Sequence, residues 1–343
     1  MSFAKPIVCV TGASGFLGSH VCKTLVDSGL YKVRATVRTK SPAKTEYLES
    51  IGVEVYGGCD LLIPGSFDDA IRGCTYLHHC ASPFFFNTPE IGAQEGFIRP
   101  ALDGTMNVLE SVKRVGTGVK RIILTSSCAA VTWANANAHP GGKNHVWNED
   151  DWQEDNTLEN GPYRMSKRLA EQAAWRFVRS LGGTDLVTIC PSFILGPILI
   201  KRTDAASVSF MKGLIDGSME EVKASAFGCV DVRNVATAHV NAMRVDLGTQ
   251  GLKNSKDQAR FLLTSENSIP QLDIAKALKA SGKFDHFPVP LKSAGPPLQY
   301  LTYSNEKARK FLGVSFIDVA DSITDGCSSL LNLGVIARNN SRL

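Results

Sequence analysis

Short apolar runs separated by longer segments of helical period set the rhythm of the first 190 residues. "PIVCVT" (6–11), "YKVRATV" (31–37), "VEVY" (53–56), "TYLHHC" (75–80), "RIILTSS" (121–127) and "LVTIC" (186–190) are rich in branched apolar residues and bounded by turn formers. Strands of this kind belong to parallel sheets buried on both faces, with the intervening helices as cover. Between the first two runs, "FLGSHVCKTLVDSG" sets Leu17, Val21, Leu25 and Val26 on one stripe and stops at Gly29. A second stripe, Leu102, Val108, Leu109, Val112 and Val115, precedes the 121–127 run. The alternation predicts an α/β fold, a Rossmann-type doubly wound parallel sheet.

Beyond Pro191 the rhythm loosens into shorter elements and the Pro-rich stretch "VPLKSAGPP". That change predicts a Rossmann domain over 1–190 and a smaller C-terminal substrate lobe over 191–343. The lobes are partly interleaved in sequence, because "FLLT" (261–264) reads as one more buried strand. Returns to the Rossmann domain are expected near 227–247 and 258–266.

Composition narrows the function. The chain has 343 residues, 43% hydrophobic and 20% charged, with no apolar run long enough to cross a bilayer. A net charge of +4 and scattered Lys and Arg leave no basic stripe for nucleic acid, so a small molecule is the expected partner. The nine cysteines include no CxxC pair and read as reduced thiols. The first residues lack the apolar segment of a secretory signal. The last three, Ser341, Arg342 and Leu343, stand one conservative change from the SKL address. They predict a peroxisomal matrix protein read by an import receptor, with a cytoplasmic location as the alternative. Either a monomer or a dimer fits.

Chemistry enters with "VCVTGASGFLGSH", which follows the first strand and opens the first helix. Gly12 serves a tight turn, Gly15 an approach to a pyrophosphate, and Gly18 close helix–strand packing. The cradle comprises Gly12, Ser14, Gly15, Phe16, Leu17 and Gly18. An NAD site wants an acidic residue at the end of the second strand, but "VRATVR" ends in Arg38. A guanidinium there, with Lys44 adding charge, matches a 2′-phosphate and predicts NADPH/NADP+.

"GPYRMSK" begins with Pro162, suited to a first helical turn, and places Tyr163 and Lys167 four apart on one face. A free phenol has a pKa of about 10, so an adjacent ammonium together with a nicotinamide cation is expected to lower it for acid-base work. Ser127, at the end of "RIILTSS", is the expected holder of a carbonyl oxygen, and Thr125 serves the cofactor. The same spacing recurs at Tyr303 and Lys307, but a helix capped by Ser304 or Asn305 would separate them, so they are expected to be a chance match.

Together TGASGFLG, the TSS strand end, YRMSK and "FGCVDVRNVATAH" make the chain resemble an extended short-chain dehydrogenase/reductase. The resemblance runs from about residue 5 to 330. It is to the branch of dihydroflavonol reductases, cinnamoyl-CoA reductases and yeast-type aldehyde or methylglyoxal reductases, as "HCASPF", "RPALDGTMNVLES" and "RLAEQAAW" also indicate. It implies Ser127, Tyr163 and Lys167 as the catalytic group, with Asn107 supporting a proton-relay water. It also implies Asp60 and Leu61 near the adenine, Ala81, Ser82 and Pro83 along the cofactor, and Pro191 and Ser192 near the nicotinamide. NGPYRMSK replaces the NWYCYGK of plant cinnamoyl-CoA reductases, and Thr132 stands where dihydroflavonol reductases place an Asn. The expected activity is therefore NADPH-dependent reduction of a general aldehyde or ketone. Alternatives are oxidation of a hydroxysteroid or sugar, and a non-catalytic NADPH sensor.

Other features read more plainly. Phe84, Phe85, Trp133 and Phe193 are candidate walls of an apolar pocket. His78 and His79 point to opposite faces of a strand. His139 and His145, with Glu149, Asp150 and Asp151, form a solvated loop rather than a metal site. Asp231 and Arg233 tie the lobes together.

Overall fold

The computed structural model describes residues 4–82, 92–253, 256–295 and 300–336. Pro83, Phe84, Phe85 and the C-terminal Ser341, Arg342 and Leu343 lie outside them. Seven parallel strands form the central sheet: β1 (Ile7–Thr11), β2 (Lys32–Thr36), β3 (Glu54–Tyr56), β4 (Tyr76–His79), β5 (Arg121–Thr125), β6 (Asp185–Pro191) and β7 (Ala259–Leu263). Their order is β7-β6-β5-β4-β1-β2-β3. Strand order therefore reverses between β1 and β4, the place where such sheets open a crevice for a ligand.

Ten helices accompany the sheet among the described residues. They are α1 (Phe16–Asp27), α2 (Pro42–Ser50), α3 (Asp68–Ile71), α4 (Arg99–Val115), α5 (Pro162–Leu181), α6 (Ala206–Asp216), α7 (Val232–Ala242), α8 (Gln271–Ala280), α9 (Glu306–Leu312) and α10 (Val319–Asn332). Helix α1 packs on α7 and α4 packs on α5, so the sheet is covered on both faces. Val8, Cys9, Val10, Leu77, Ile122, Ile123, Val187 and Ile189 are wholly buried between those layers. Leu17, Val21 and Leu25 supply the buried stripe of α1, as their spacing dictates.

After β6 the chain builds two-stranded pairs, 193–195 with 229–231 and 226–227 with 269–270. It then returns with β7 to the free edge of β6. Arg233, in the first turn of α7, bonds Asp231 at 2.8 Å and Asp325 of α10 at 2.8 Å, which clamps these two helices together.

Four histidines are buried in this body. His78 Nδ1 lies 3.4 Å from His239 Nδ1, and His239 Nε2 lies 3.1 Å from Thr125 Oγ1. His79 meets Thr11 at 2.8 Å, and His20 meets the Pro197 carbonyl at 2.7 Å. Burial pushes His20 and His79 down to about 4 and His239 to about 3, and it holds His78 well below the usual imidazole range. Above pH 6.5 neither the folded nor the unfolded chain protonates these rings, so stability is flat. Below it, the unfolded chain takes up protons that the buried rings refuse. Each ring then costs about 1.4 kcal/mol per pH unit. Denaturant unfolding at pH 5.5 should show about 5 kcal/mol less stability than at pH 7.5. Equal midpoints at the two pH values would contradict this.

Candidate active site

The crevice begins where β1 turns into α1. Gly12 has φ +66°, and a Cβ there would sit 2.7 Å from Ala81 Cα, so only glycine lets this turn pass the end of β4. A Cβ on Gly18 would collide with the Gly12 carbonyl, which is how closely the helix leans on the turn. Gly15 is the N-cap of α1 and has no side-chain cap. The first-turn amides of Phe16 and Leu17 have no intrahelical acceptor, while their side chains are buried. This is an anion cradle made of backbone.

From it runs a cleft of about 570 Å³. Gly12, Ser14 and Gly15 line one wall, with Arg38 and Lys44 at the end of β2 and the start of α2. Asp60 and Leu61 face them, and Ala81 and Ser82 carry the wall toward the sheet's centre. The polar contacts fix this shape. Thr11 Oγ1 accepts from the Ala81 amide at 3.1 Å, and Asp60 Oδ1 accepts from the Leu62 amide at 2.9 Å. Asn107 donates to the Leu61 carbonyl at 2.7 Å. That bond uses its Nδ2 and holds the side chain against the wall around Leu61. Arg202 was not foreseen. It comes from the far side of the chain, donates to the Ser14 carbonyl at 2.8 Å, pairs with Asp204 at 2.6 Å and lines the cleft. Nothing local in "IKRTD" could have shown that approach.

Helix α5 starts at Pro162 and carries Tyr163 and Lys167 on one face. Lys167 Nζ donates to Ser82 Oγ at 2.5 Å and stands 5.5 Å from the centre of the Tyr163 ring. Desolvation pushes its ammonium down to about 8. Ser127, at the N-cap of a single turn over 128–130, accepts from the Ala129 amide at 3.1 Å, and its hydroxyl acts to lower the Tyr163 pKa. Although Tyr163 is 42% exposed, atoms packed around the phenol raise its pKa, and Ser127 only partly opposes that. The expected lowering by Lys167 is therefore not present: the amine points to Ser82. Thr125 Oγ1 is taken by His239 behind the strand, although Thr125 also borders the space beside Lys167. Ser192, after Pro191, offers a buried hydroxyl that has no partner among the described residues. Burial raises the pKa of Cys128 beside Ser127, which leaves the thiol inert.

Behind these groups lies a buried ion pair. Arg260 of β7 donates to Glu171 of α5 at 2.8 Å, and both side chains have no exposed surface. Ser126 and Thr188 also donate to Glu171, at 2.6 and 2.9 Å. Arg260 lies 3.7 Å over the Trp152 ring and donates to the carbonyls of Glu149 and Asp151 at 2.7 and 2.8 Å. Glu149 in turn accepts from the Leu262 amide at 2.8 Å. The acidic run is therefore not a solvated loop, because its backbone satisfies a buried guanidinium. His145 and His139 lie 2.9 and 3.7 Å from Asp151. His139 Nδ1 accepts from the Gly141 amide at 3.1 Å, and a ring nitrogen of each histidine and a carboxylate oxygen of Asp151 lie within 4.8 Å of one another.

The second spacing match falls elsewhere. Tyr303 is buried, α9 begins at Glu306 with Asn305 as its cap, and Lys307 lies 5.4 Å from the Phe261 ring. Phe193 stacks on Phe227 at 4.3 Å, and Trp133 donates to the Trp152 carbonyl at 2.8 Å.

Known proteins resemble this chain in sequence and fold. The model of the NAD dependent epimerase/dehydratase family matches residues 8–247. A cinnamoyl-CoA reductase from Medicago truncatula, CAD2, is 34% identical over 94% of this chain and 95% of its own. The crystal structure of Gre2 in complex with NADPH from Candida albicans superposes with a TM-score of 0.77 at 28% identity, covering 95% of this chain and 99% of that one. The NADPH complex of the yeast methylglyoxal/isovaleraldehyde reductase Gre2 gives 0.77 at 25% identity, covering 96% and 99%.

Proposed function

Because the chain belongs to the NAD dependent epimerase/dehydratase family of extended short-chain dehydrogenases/reductases, we propose that it reduces an aldehyde or ketone to the alcohol with Tyr163 as the general acid. It is an oxidoreductase of carbonyl and CH–OH groups, and its cofactor is NADPH. The observation that carries the reading is that Lys167, 5.5 Å from the Tyr163 ring, bonds Ser82 on the wall of the cleft that also holds Arg38 and Lys44.

The residues fit that cofactor. The amides above Gly15 and the Arg202 guanidinium suit a pyrophosphate, while Arg38 and Lys44 suit a 2′-phosphate. Ser82, Lys167 and the unpartnered Ser192 hydroxyl suit the nicotinamide end. Bound NADPH supplies the hydride. Ser127 then holds the carbonyl oxygen, and Tyr163, fully protonated at neutral pH, gives its phenol proton to that oxygen as charge develops there. The phenolate left behind takes its proton back from solvent.

Purified protein with NADPH and a panel of aldehydes and ketones tests this, read as loss of NADPH absorbance. Turnover is expected with NADPH and much less with NADH. A guanidinium–phosphate contact contributes about 1.5–3 kcal/mol, so Arg38→Asp should cut the NADPH/NADH ratio by at least roughly tenfold. Tight NADPH binding without oxidation by any carbonyl would instead support a sensor.

A further inference from the structure

Arg164 follows Tyr163 in the first turn of α5 and turns its side chain toward the segment that continues from Ser127. Its Nη1 donates to Thr132 Oγ1 at 2.7 Å and to the Thr132 carbonyl at 3.0 Å. The Arg164 charge bears on the Tyr163 phenol, the Cys128 thiol and the Tyr303 phenol, so the guanidinium faces the same space as the candidate acid.

Among the described residues no carboxylate answers this charge. Elsewhere in the molecule part-buried guanidinia are neutralised: Arg121 by Asp185, Arg233 by Asp231 and Asp325, Arg260 by Glu171. One helical turn further, Arg168 places a second cation four residues away, and its buried Nε has no partner among the described residues. Like charges at this spacing repel, and the positive end of the helix adds to the cost. A half-buried, Thr-anchored cation beside the reacting phenol is a stable arrangement once an anion sits against it.

We infer that Arg164 makes this enzyme selective for carbonyl substrates that carry a carboxylate or similar anionic group. The inference rests on the reductase reading above. Thr132 would hold one edge of the guanidinium and leave the other for the substrate's anion, which orients the carbonyl toward Tyr163 and Ser127. The reaction itself is unaltered: the hydride goes to carbon, the Tyr163 proton to oxygen, and a hydroxy acid anion leaves.

Paired substrates test it, 4-formylbenzoate and 2-oxo-4-phenylbutanoate, each against its methyl ester with NADPH. For the wild-type protein kcat/KM should favour the acids by at least about tenfold, the effect of one charge-assisted contact, and mainly through KM. Arg164→Gln should erase that advantage by losing far more on the acids than on the esters, and Arg164→Lys should keep part of it. Esters turned over as well as acids by the wild-type protein would overturn the inference. So would an Arg164→Gln variant that loses the same factor on both, since Arg164 would then only hold Thr132. Oxidation of NADPH by none of the four would remove the reductase reading and this inference together, an outcome distinct from ester turnover without an acid advantage.

Discussion

Tyr163→Phe should lower kcat by about 10²–10⁴-fold while leaving NADPH affinity close to that of the unaltered protein, the loss expected when a positioned proton donor is removed. The separation of the two effects follows from position. Tyr163 stands on α5 beside Lys167, whereas the phosphate-binding cradle and Arg38 line the cleft and Tyr163 does not. Only the hydroxyl is deleted, so the ring still fills its place and the Lys167–Ser82 contact survives. Single-turnover measurement of NADPH oxidation, with affinity read from NADPH fluorescence, checks both quantities. Turnover retained within a few-fold would refute the acid role.

Arg260→Met should cost about 3–5 kcal/mol, because it leaves the Glu171 carboxylate buried without its cation. For a protein of this size that corresponds to a fall in Tm on the order of 10 °C. The loss is concentrated near the reacting groups. Glu171 stands one turn beyond Lys167 on α5 and holds Ser126, the neighbour of Ser127, while Arg260 also secures the backbone of Glu149 and Asp151. Calorimetry of Arg260→Met and of Arg260→Met with Glu171→Leu checks the cause. The double variant should regain most of the stability, since two apolar groups leave no orphaned charge; an equally unstable double variant would assign the loss to packing instead.

The sheet was legible because a parallel strand buried on both faces has to be apolar almost throughout, and six such runs stand in "PIVCVT" to "LVTIC". The seventh shows the limit of that signal. "FLLT" marked its middle, but β7 starts at Ala259, two residues earlier, and its second residue is Arg260. A charge inside a strand conceals the strand unless its partner is known, and Glu171 is 89 residues away. The glycine cradle and the Tyr163–Lys167 pair are local spacings, so the sequence displays them directly. Arg202 beside Ser14, Asn107 beneath Leu61 and Arg164 on Thr132 are contacts across 188, 46 and 32 residues, and no local pattern encodes them. The acidic run at Glu149 to Asp151 misled for the same reason: its backbone carbonyls, not its carboxylates, answer Arg260. The lowering of the Tyr163 pKa failed because spacing places an amine on the same face as a phenol without saying where the amine points.

The return of β7 to the edge of the sheet has a consequence for the order in which this protein can be made. When the ribosome has released residues 1–200, β6 has β5 on one side and nothing on the other, and Glu171 is already enclosed by Ser126 and Thr188 without its counter-charge. The nascent nucleotide-binding half therefore waits with an open apolar strand edge and an uncompensated carboxylate, both invitations to mispairing. The 259–263 segment closes both at once. The same short strand that completes the sheet also neutralises the charge behind Ser127, so the candidate active site cannot become rigid before roughly the last quarter of the chain has begun to emerge.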